Sequence, residues 1–374
     1  MLSNMIRRTA VALILCGLFT VRAFAQTVPP FDASGLVNLG DSVKYGSYII
    51  YKIGEGIYKI NDPGDKTTRL GGLGVDMYLI RGANKAFMVD LGNNYIDGFA
   101  FDLIKPRKNA AEELRAVEHG LAGDLPLEIG ITHAHPDHAG MTGAFVNQKN
   151  VTFWMGEHEG EMPPGMQISF GKNLPAMPHN PIDLSVYKRM ASGKQFDLGD
   201  GRVLTGILLR GHTQGSTVYL LTPDMYLFTG DALGSGFGQG YSTVPVLKEF
   251  AEDSQKLADY ITEHFKPYER YSLKVYTGHT WQNTADGFLH PNHDQVDVGY
   301  LDWRFIQNEA SCANGILKGK WLVEGSGLIN VGKQPSSAGW PGANQEVIMT
   351  YGIGTIIIPL QTAYDAAGLK MPSQ

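Results

Sequence analysis

The stretch Thr132-His133-Ala134-His135-Pro136-Asp137-His138 decides the reading of this chain. It sets three of the 11 histidines of a 374-residue sequence beside one aspartate. Scattered surface or core histidines do not gather so densely, and metal ligation is the physical reason that such a density needs. The stretch follows an alternating apolar run, residues 127–132, which predicts a strand running out of a sheet. On extended backbone His133, His135 and Asp137 share one face. A helix capped by Asp137 and beginning around His138 and Ala139 then turns the chain and sends His138 another way. One short loop can in this way feed two neighbouring metals.

Three further ligand candidates lie downstream. His212 stands in Gly211-His212-Thr213-Gln214-Gly215-Ser216, a glycine-bracketed turn between apolar runs at 203–209 and 217–221. Asp231 ends Tyr226-Leu227-Phe228-Thr229-Gly230, and His279 follows Val275-Tyr276-Thr277-Gly278. Each is a strand, a glycine and a polar residue, which is how most strands end. Taken with the first cluster, the three become a ligand set.

These elements, in this order, resemble the metallo-β-lactamase superfamily, whose hallmark is an HxHxDH signature followed by a Gly-His-Thr turn, a Gly-Asp strand end and a final Gly-His. Phe87-Met88-Val89-Asp90-Leu91-Gly92 is similar to the family's early strand ending in Asp, and Phe196-Asp197-Leu198-Gly199-Asp200-Gly201 to its hairpin ahead of the third metal-binding motif. The resemblance covers residues 46–285. It implies an α/β fold, an αββα sandwich with the metals at one edge between the sheets. It also implies that His133, His135 and His212 bind a first metal, that Asp137, His138 and His279 bind a second, and that Asp231 bridges them. True β-lactamases of the superfamily lack that bridge, and many place a Cys in the second site. The pattern here is closer to the glyoxalase II, lactonase and phosphodiesterase branches. Where acyl-homoserine lactonases carry Tyr three residues after the bridge this chain has Gly234, and the stretch 281–297 offers no basic clamp for a glutathione thioester.

Ligands without thiolate suit zinc, with iron or manganese also compatible. The implied mechanism has a water held as hydroxide between two Zn2+ ions, attacking an acyl or phosphoryl centre, with Asp137 orienting it. Asp90, not a ligand, is expected to support the loop around His133 as a hydrogen-bond acceptor. Segments overhanging the metals would choose the substrate: 155–181 with Phe170, the glycine-rich loop 234–241 with Phe237 and Tyr241, and Trp281 just past His279. His158 and His179 have no ligand pattern and are expected at the surface.

Composition bounds the remainder. With 43% hydrophobic and 18% charged residues the chain can bury a full core. A net charge of −6, with no basic run interleaved by aromatics, argues against a nucleic-acid partner and for a small-molecule substrate. Residues 1–25 read as a signal peptide: Arg7 and Arg8, an apolar stretch at 9–21, then Ala23-Phe24-Ala25. That stretch is shorter than the roughly 20 residues that span a bilayer, so no membrane anchor is expected after cleavage and a periplasmic or secreted address follows. Cleavage would leave Cys312 alone, in a helix predicted over 302–318, as a small buried residue.

The expected organisation is a leader arm over 26–45, a catalytic domain over 46–320 containing amphipathic helices at 107–121 and 247–265, and a C-terminal extension over 321–374 packed on the core. That extension reads as strand-like Trp321-Leu322-Val323, a Gly- and Pro-rich loop, and one apolar run at 347–360. The functional expectation is an exported dinuclear zinc hydrolase of a small ester, lactone, thioester or phosphoester. A metallo-β-lactamase, opposed by Asp231, and an iron-dependent oxidoreductase of the sulfur dioxygenase kind are the alternatives. The sequence leaves the oligomeric state open.

Overall fold

Short apolar runs broken by Gly and Asp become strands, and the longer runs with a 3.6-residue period become the helices that cover them. The computed structural model describes residues 28–63, 74–93, 109–161, 164, 182–233, 243–283, 299–334 and 346–372. A first sheet runs in sequence order through β1 (Ser42–Tyr45), β2 (Tyr48–Gly54), β3 (Ile57–Asp62), β4 (Val75–Arg81), β5 (Ala86–Val89), β6 (Leu127–Gly130), β7 (Val151–Gly156) and β8 (Tyr187–Met190). Its pairings are antiparallel up to β5 and parallel from β5 to β8. Parallel strands are covered on both faces, and β5 accordingly reads Ala-Phe-Met-Val, buried throughout. The second sheet orders β13 (Lys274–Tyr276), β12 (Tyr226–Phe228), β11 (Thr217–Thr222), β10 (Arg202–Leu208) and β9 (Lys194–Gly199).

The sheets pack face to face through an aromatic core. Tyr78 meets Phe228 at 4.7 Å between ring centroids and Phe87 meets Tyr219 at 5.3 Å. Each of two buried tyrosines directs its hydroxyl to a carbonyl just ahead of a ligand candidate. Tyr219 Oη donates to Ile131 O (3.0 Å), and Tyr78 Oη to Thr277 O (2.6 Å). The core thereby pins the strand ends from which the 132–138 loop and His279 depart.

On the outer face of the first sheet lies α1 (Ala110–Ala122), which buries Ala110, Leu114, Val117 and Leu121 along one stripe. Short helices α2 (Pro136–Ala139) and α3 (Thr142–Phe145) follow the cluster loop. The second sheet is covered by α4 (Val244–His264), followed by α5 (Pro267–Ser272) and α6 (Trp303–Leu317). Four layers result, αββα as the sequence implies. Cys312 is buried within α6, its Sγ 3.5 Å from Met349 O.

Three local expectations need correction. The leader reading runs too far, since Ser42–Tyr45 already pair with Tyr48–Tyr51 as an edge strand, while Phe31 and Leu36 ahead of them are buried on the first sheet's helix layer. Trp321-Leu322-Val323 is not a strand: Lys320–Leu322 form a 3-10 turn, entered through Gly319 at φ 66°. The single run at 347–360 divides into β15 (Glu346–Tyr351) and β16 (Gly354–Pro359), joined through Gly352 at φ 58°. With β14 (Ile329–Gln334) they make a third, antiparallel sheet. It buries Val347, Met349, Ile356 and Ile358 in the cluster that holds α4 and α6, and α7 (Leu360–Ala366) closes it.

Candidate metal centre

All seven ligand candidates emerge at the same edge of the sandwich, each from a loop that follows a strand. His133, His135, Asp137 and His138 follow β6, His212 lies between β10 and β11, Asp231 follows β12 and His279 follows β13. The parallel pairing of β12 with β13 brings the last two side by side. Two glycines permit the approach. A Cβ on Gly278 would lie 2.5 Å from Asp231 Oδ1 and 2.7 Å from His138 Cε1, and one on Gly230, at φ 52°, would lie 2.2 Å from Thr132 Oγ1. The glycine ahead of each ligand is thus a clearance requirement as well as a turn signal.

Three groupings of ligand atoms form: His133 with His135 and His212, Asp137 with His138 and His279, and His133 with His138 and Asp231. In the first, His212 Nε2 stands 3.1 Å from His133 Nε2 and 3.0 Å from His135 Nδ1. In the second, His279 Nε2 stands 3.6 Å from Asp137 Oδ2, and His138 Nε2 stands 3.7 Å from the same oxygen. Asp231 reaches both. Its Oδ2 is 3.7 Å from His212 Nε2, while its Oδ1 is 3.6 Å from His138 Nε2 and 3.4 Å from His279 Nε2.

The second nitrogens fix which atom each ring presents. His138 Nδ1 lies 2.8 Å from Asp90 Oδ2, and His279 Nδ1 donates to Gly74 O at 2.6 Å. Thr132 Oγ1 donates to Asp90 Oδ2 and so accepts from His133 Nδ1 at 3.1 Å. In all three rings Nδ1 is engaged by an outward partner, which leaves Nε2 facing inward. His138 Nε2 is buried and without a hydrogen-bond partner among the described residues. Ring nitrogens at 3.0–3.1 Å either share a proton or flank a cation, and tetrahedral zinc at about 2.0–2.1 Å from nitrogen would separate its ligands by about 3.3 Å. The donor set and its spacing fit a metal.

Electrostatics divide the cluster. Burial opposes a charge on His138, but Asp137, Asp231 and Asp90 outweigh it and hold its pKa well above the ordinary histidine value. His279 is likewise raised against burial by Asp231 and Asp137. Burial, with His138, His135 and His212 alongside, keeps His133 well below that value. Burial would raise Asp231, yet His279 and His138 hold it well below the usual carboxylate range.

The loop differs from expectation in one respect. The helix begins at Pro136 with His135 as its N-cap (φ −67°, ψ 150°), so Asp137 sits in the first turn rather than capping it. Proline at the first helical position, its φ already helical, starts the turn early. Asp90 supports the loop as anticipated, accepting from Thr132 N (2.6 Å) and Thr132 Oγ1 (2.8 Å), and it holds His138 besides. It does so from left-handed backbone, φ 63°. Phe170, Phe237, Tyr241 and His179 lie outside the described residues. Of Trp281 only the backbone, in the turn Thr280–Asn283, is described. The His158 side chain is 46% exposed, as the sequence suggests.

Two supporting groups were not anticipated. Behind His279, the buried Lys59, Asn61 and Asp76 gather on Thr280. Lys59 Nζ donates to Thr280 Oγ1 (3.0 Å) and Thr280 Oγ1 to Asp76 Oδ2 (2.8 Å). Glu159 accepts from Ala134 N (2.8 Å) and Thr213 Oγ1 (2.7 Å). The only signal for the first group was a Lys and an Asp inside apolar strands.

No curated protein matches the chain. Among solved structures, it is similar to a metallo-beta-lactamase family protein from Thermus thermophilus, with 20% identity over 61% of this chain and 74% of that one and a TM-score of 0.40. A beta-lactamase domain protein from Burkholderia ambifaria is similar with 17% identity, 66% and 73% covered and a TM-score of 0.43. A flavo di-iron protein from Thermotoga maritima is similar with 14% identity, 62% and 57% covered and a TM-score of 0.39. The family model of the metallo-beta-lactamase superfamily matches residues 70–257, and the chain belongs to that superfamily.

Proposed function

We propose that this chain is an exported dinuclear zinc hydrolase acting on a small ester, lactone, thioester or phosphoester. The observation that carries the reading is the divided carboxylate of Asp231, one oxygen toward His212 and the other toward His138 and His279. A side chain so placed would hold two ions at once, were both bound. The ligand atoms are imidazole and carboxylate, and the one cysteine among the described residues, Cys312, is buried in α6. That chemistry favours zinc and disfavours the Cys-containing site of many true β-lactamases.

Two divalent ions, when bound, supply Lewis acidity at the scissile centre and water acidic enough to ionise near pH 7. His133, His135 and His212 would hold one, and Asp137, His138 and His279 the other. Asp90 holds His138 Nδ1 and so turns Nε2 toward the place where the metal would sit. Asp137, 6% exposed, would orient a water at the centre by accepting a hydrogen bond from it. A small-molecule substrate and an address beyond the cytoplasmic membrane complete the proposal, the latter resting on the signal-like residues 1–25.

Elemental analysis should return about two zinc ions per chain, because seven ligands exceed what one tetrahedral site uses. One metal or none in active protein would overturn the dinuclear reading, and iron would favour an oxidoreductase. Turnover of a panel of chromogenic esters, lactones, thioesters and phosphoesters, beside a chromogenic cephalosporin, tests the bond. Hydrolysis of the cephalosporin alone would make the protein a β-lactamase.

A further inference from the structure

We propose that Glu159 is a positioning residue that clamps the two separate segments of the first imidazole cluster at one spacing, and so sets the affinity of that cluster for its metal. The proposal rests on the metal-centre reading above. Glu159 lies in the turn after β7 and is 3% exposed. Its Oε1 accepts from the backbone N–H of Ala134, the residue between His133 and His135. Its Oε2 accepts from the hydroxyl of Thr213, the residue after His212. One carboxylate therefore ties together segments that approach the cluster from different sheets.

Three further contacts make this a built joint. Thr213 Oγ1 lies 2.8 Å from Ser216 Oγ, which also accepts from Thr213 N, so the hydroxyl is held in place. Arg189 Nη1 donates to Glu159 O at 3.0 Å and fixes the backbone of the turn. A Cβ on Gly215 would fall 2.2 Å from Glu159 N, so the turn docks on the His212 loop only because that position is glycine.

Burying a carboxylate is costly unless charge-assisted hydrogen bonds offset the loss of hydration. Both side-chain bonds named here come from ligand-bearing segments. The distances they govern are those from His212 Nε2 to His133 Nε2 and to His135 Nδ1, at 3.1 and 3.0 Å. Released from the clamp, the two segments need not return to that spacing, and part of the metal's binding free energy is then consumed in drawing them together.

Stepwise metal affinity tests this without reference to turnover, using zinc titrated against a chromogenic chelator and cobalt(II) followed by its visible bands. Glu159→Ala should weaken one of the two binding steps by about 10–100-fold and the other far less, with the metal-free protein keeping its circular dichroism. Thr213→Val, which removes one arm, should weaken the same step by less. Glu159→Gln should recover most of the affinity, because its amide oxygen can accept from Ala134 and its NH2 can donate to Thr213 Oγ1. Equal losses at both steps, unchanged affinities with a lower melting temperature, or a Gln variant no better than Ala would each overturn the clamp. Protein that shows this metal pattern yet hydrolyses none of the panel overturns the hydrolase reading and leaves the clamp standing. Wild-type protein that binds no divalent ion overturns both.

Discussion

Around His212 three imidazoles face one another, whereas around His138 two imidazoles face two carboxylates. The first group is incompletely covered at His135 and His212; the second is buried in all three members. The contrast teaches how each side tolerates the absence of metal. On the His138 side protons stand in for the cation, since Asp137, Asp231 and Asp90 hold that ring protonated above its ordinary range. On the His133 side burial and three neighbouring rings expel the proton, and the nitrogens are kept together by hydrogen bonds from outside the cluster. One side is held by charge, the other by scaffolding.

Asp231 belongs to both sides, and its loss should have the largest effect. Asp231→Ala should release the metal of the His138 side and lower turnover by about 100-fold or more, while circular dichroism stays unchanged. Elemental analysis and steady-state rates on the same preparation check it. Two retained metals with full activity would erase the distinction between a shared carboxylate and two independent sites.

The contrast also predicts a pH dependence for chelator-treated protein. His138 and His279 have folded pKa values above 6.5, so their stabilisation is present in full below that value and fades as pH rises through the raised ones. The melting temperature of metal-free protein should therefore fall as pH rises above 7. Glu118, raised by burial to about 7, is still ionising near pH 7 and lowers stability in the same sense, so the profile is read in a Glu118→Gln background that leaves the histidine contribution alone. Saturating zinc takes the place of those protons and should flatten the profile. A metal-free profile already flat over this window would mean that no protons replace the cation.

How much of this was legible in sequence follows the same division. The candidate ligands could be picked out because strand, glycine and candidate lie next to one another along the chain, and the clearance demanded at Gly230 and Gly278 is recorded as a local motif. The αββα layering was legible from the apolar runs and the periodic helices. The scaffolding was not. Glu159 stands among Glu157 and Glu161 with nothing to mark it, because what distinguishes it is the distant glycine that lets it dock. Lys59, Asp76 and Thr280 meet across about two hundred positions, and no local pattern reports such a meeting. The third sheet was hidden for a different reason. Gly352-Ile353-Gly354 was the hairpin signal, and an apolar run on both sides made it read as a single segment.

The smallest effects come from a matched pair of substitutions in the core between the sheets. Tyr219→Phe removes the bond to Ile131 O, ahead of His133, and Tyr78→Phe removes the bond to Thr277 O, ahead of His279. Both hydroxyls are buried and both acceptors are backbone carbonyls, so the stability costs should be similar, about 1–3 kcal/mol by chemical denaturation. Their effects on metal binding should differ. On the side held by scaffolding, Tyr219→Phe loosens the strand end that carries His133 and His135, and the affinity of that step should fall about threefold or more. On the side held by charge, Asp137 and Asp231 still hold His279 near its place once Thr277 is released, so Tyr78→Phe should change the other step less. Equal shifts at the two steps would show that both sides depend on the same packing, and that the division between charge and scaffolding does not reach the metals.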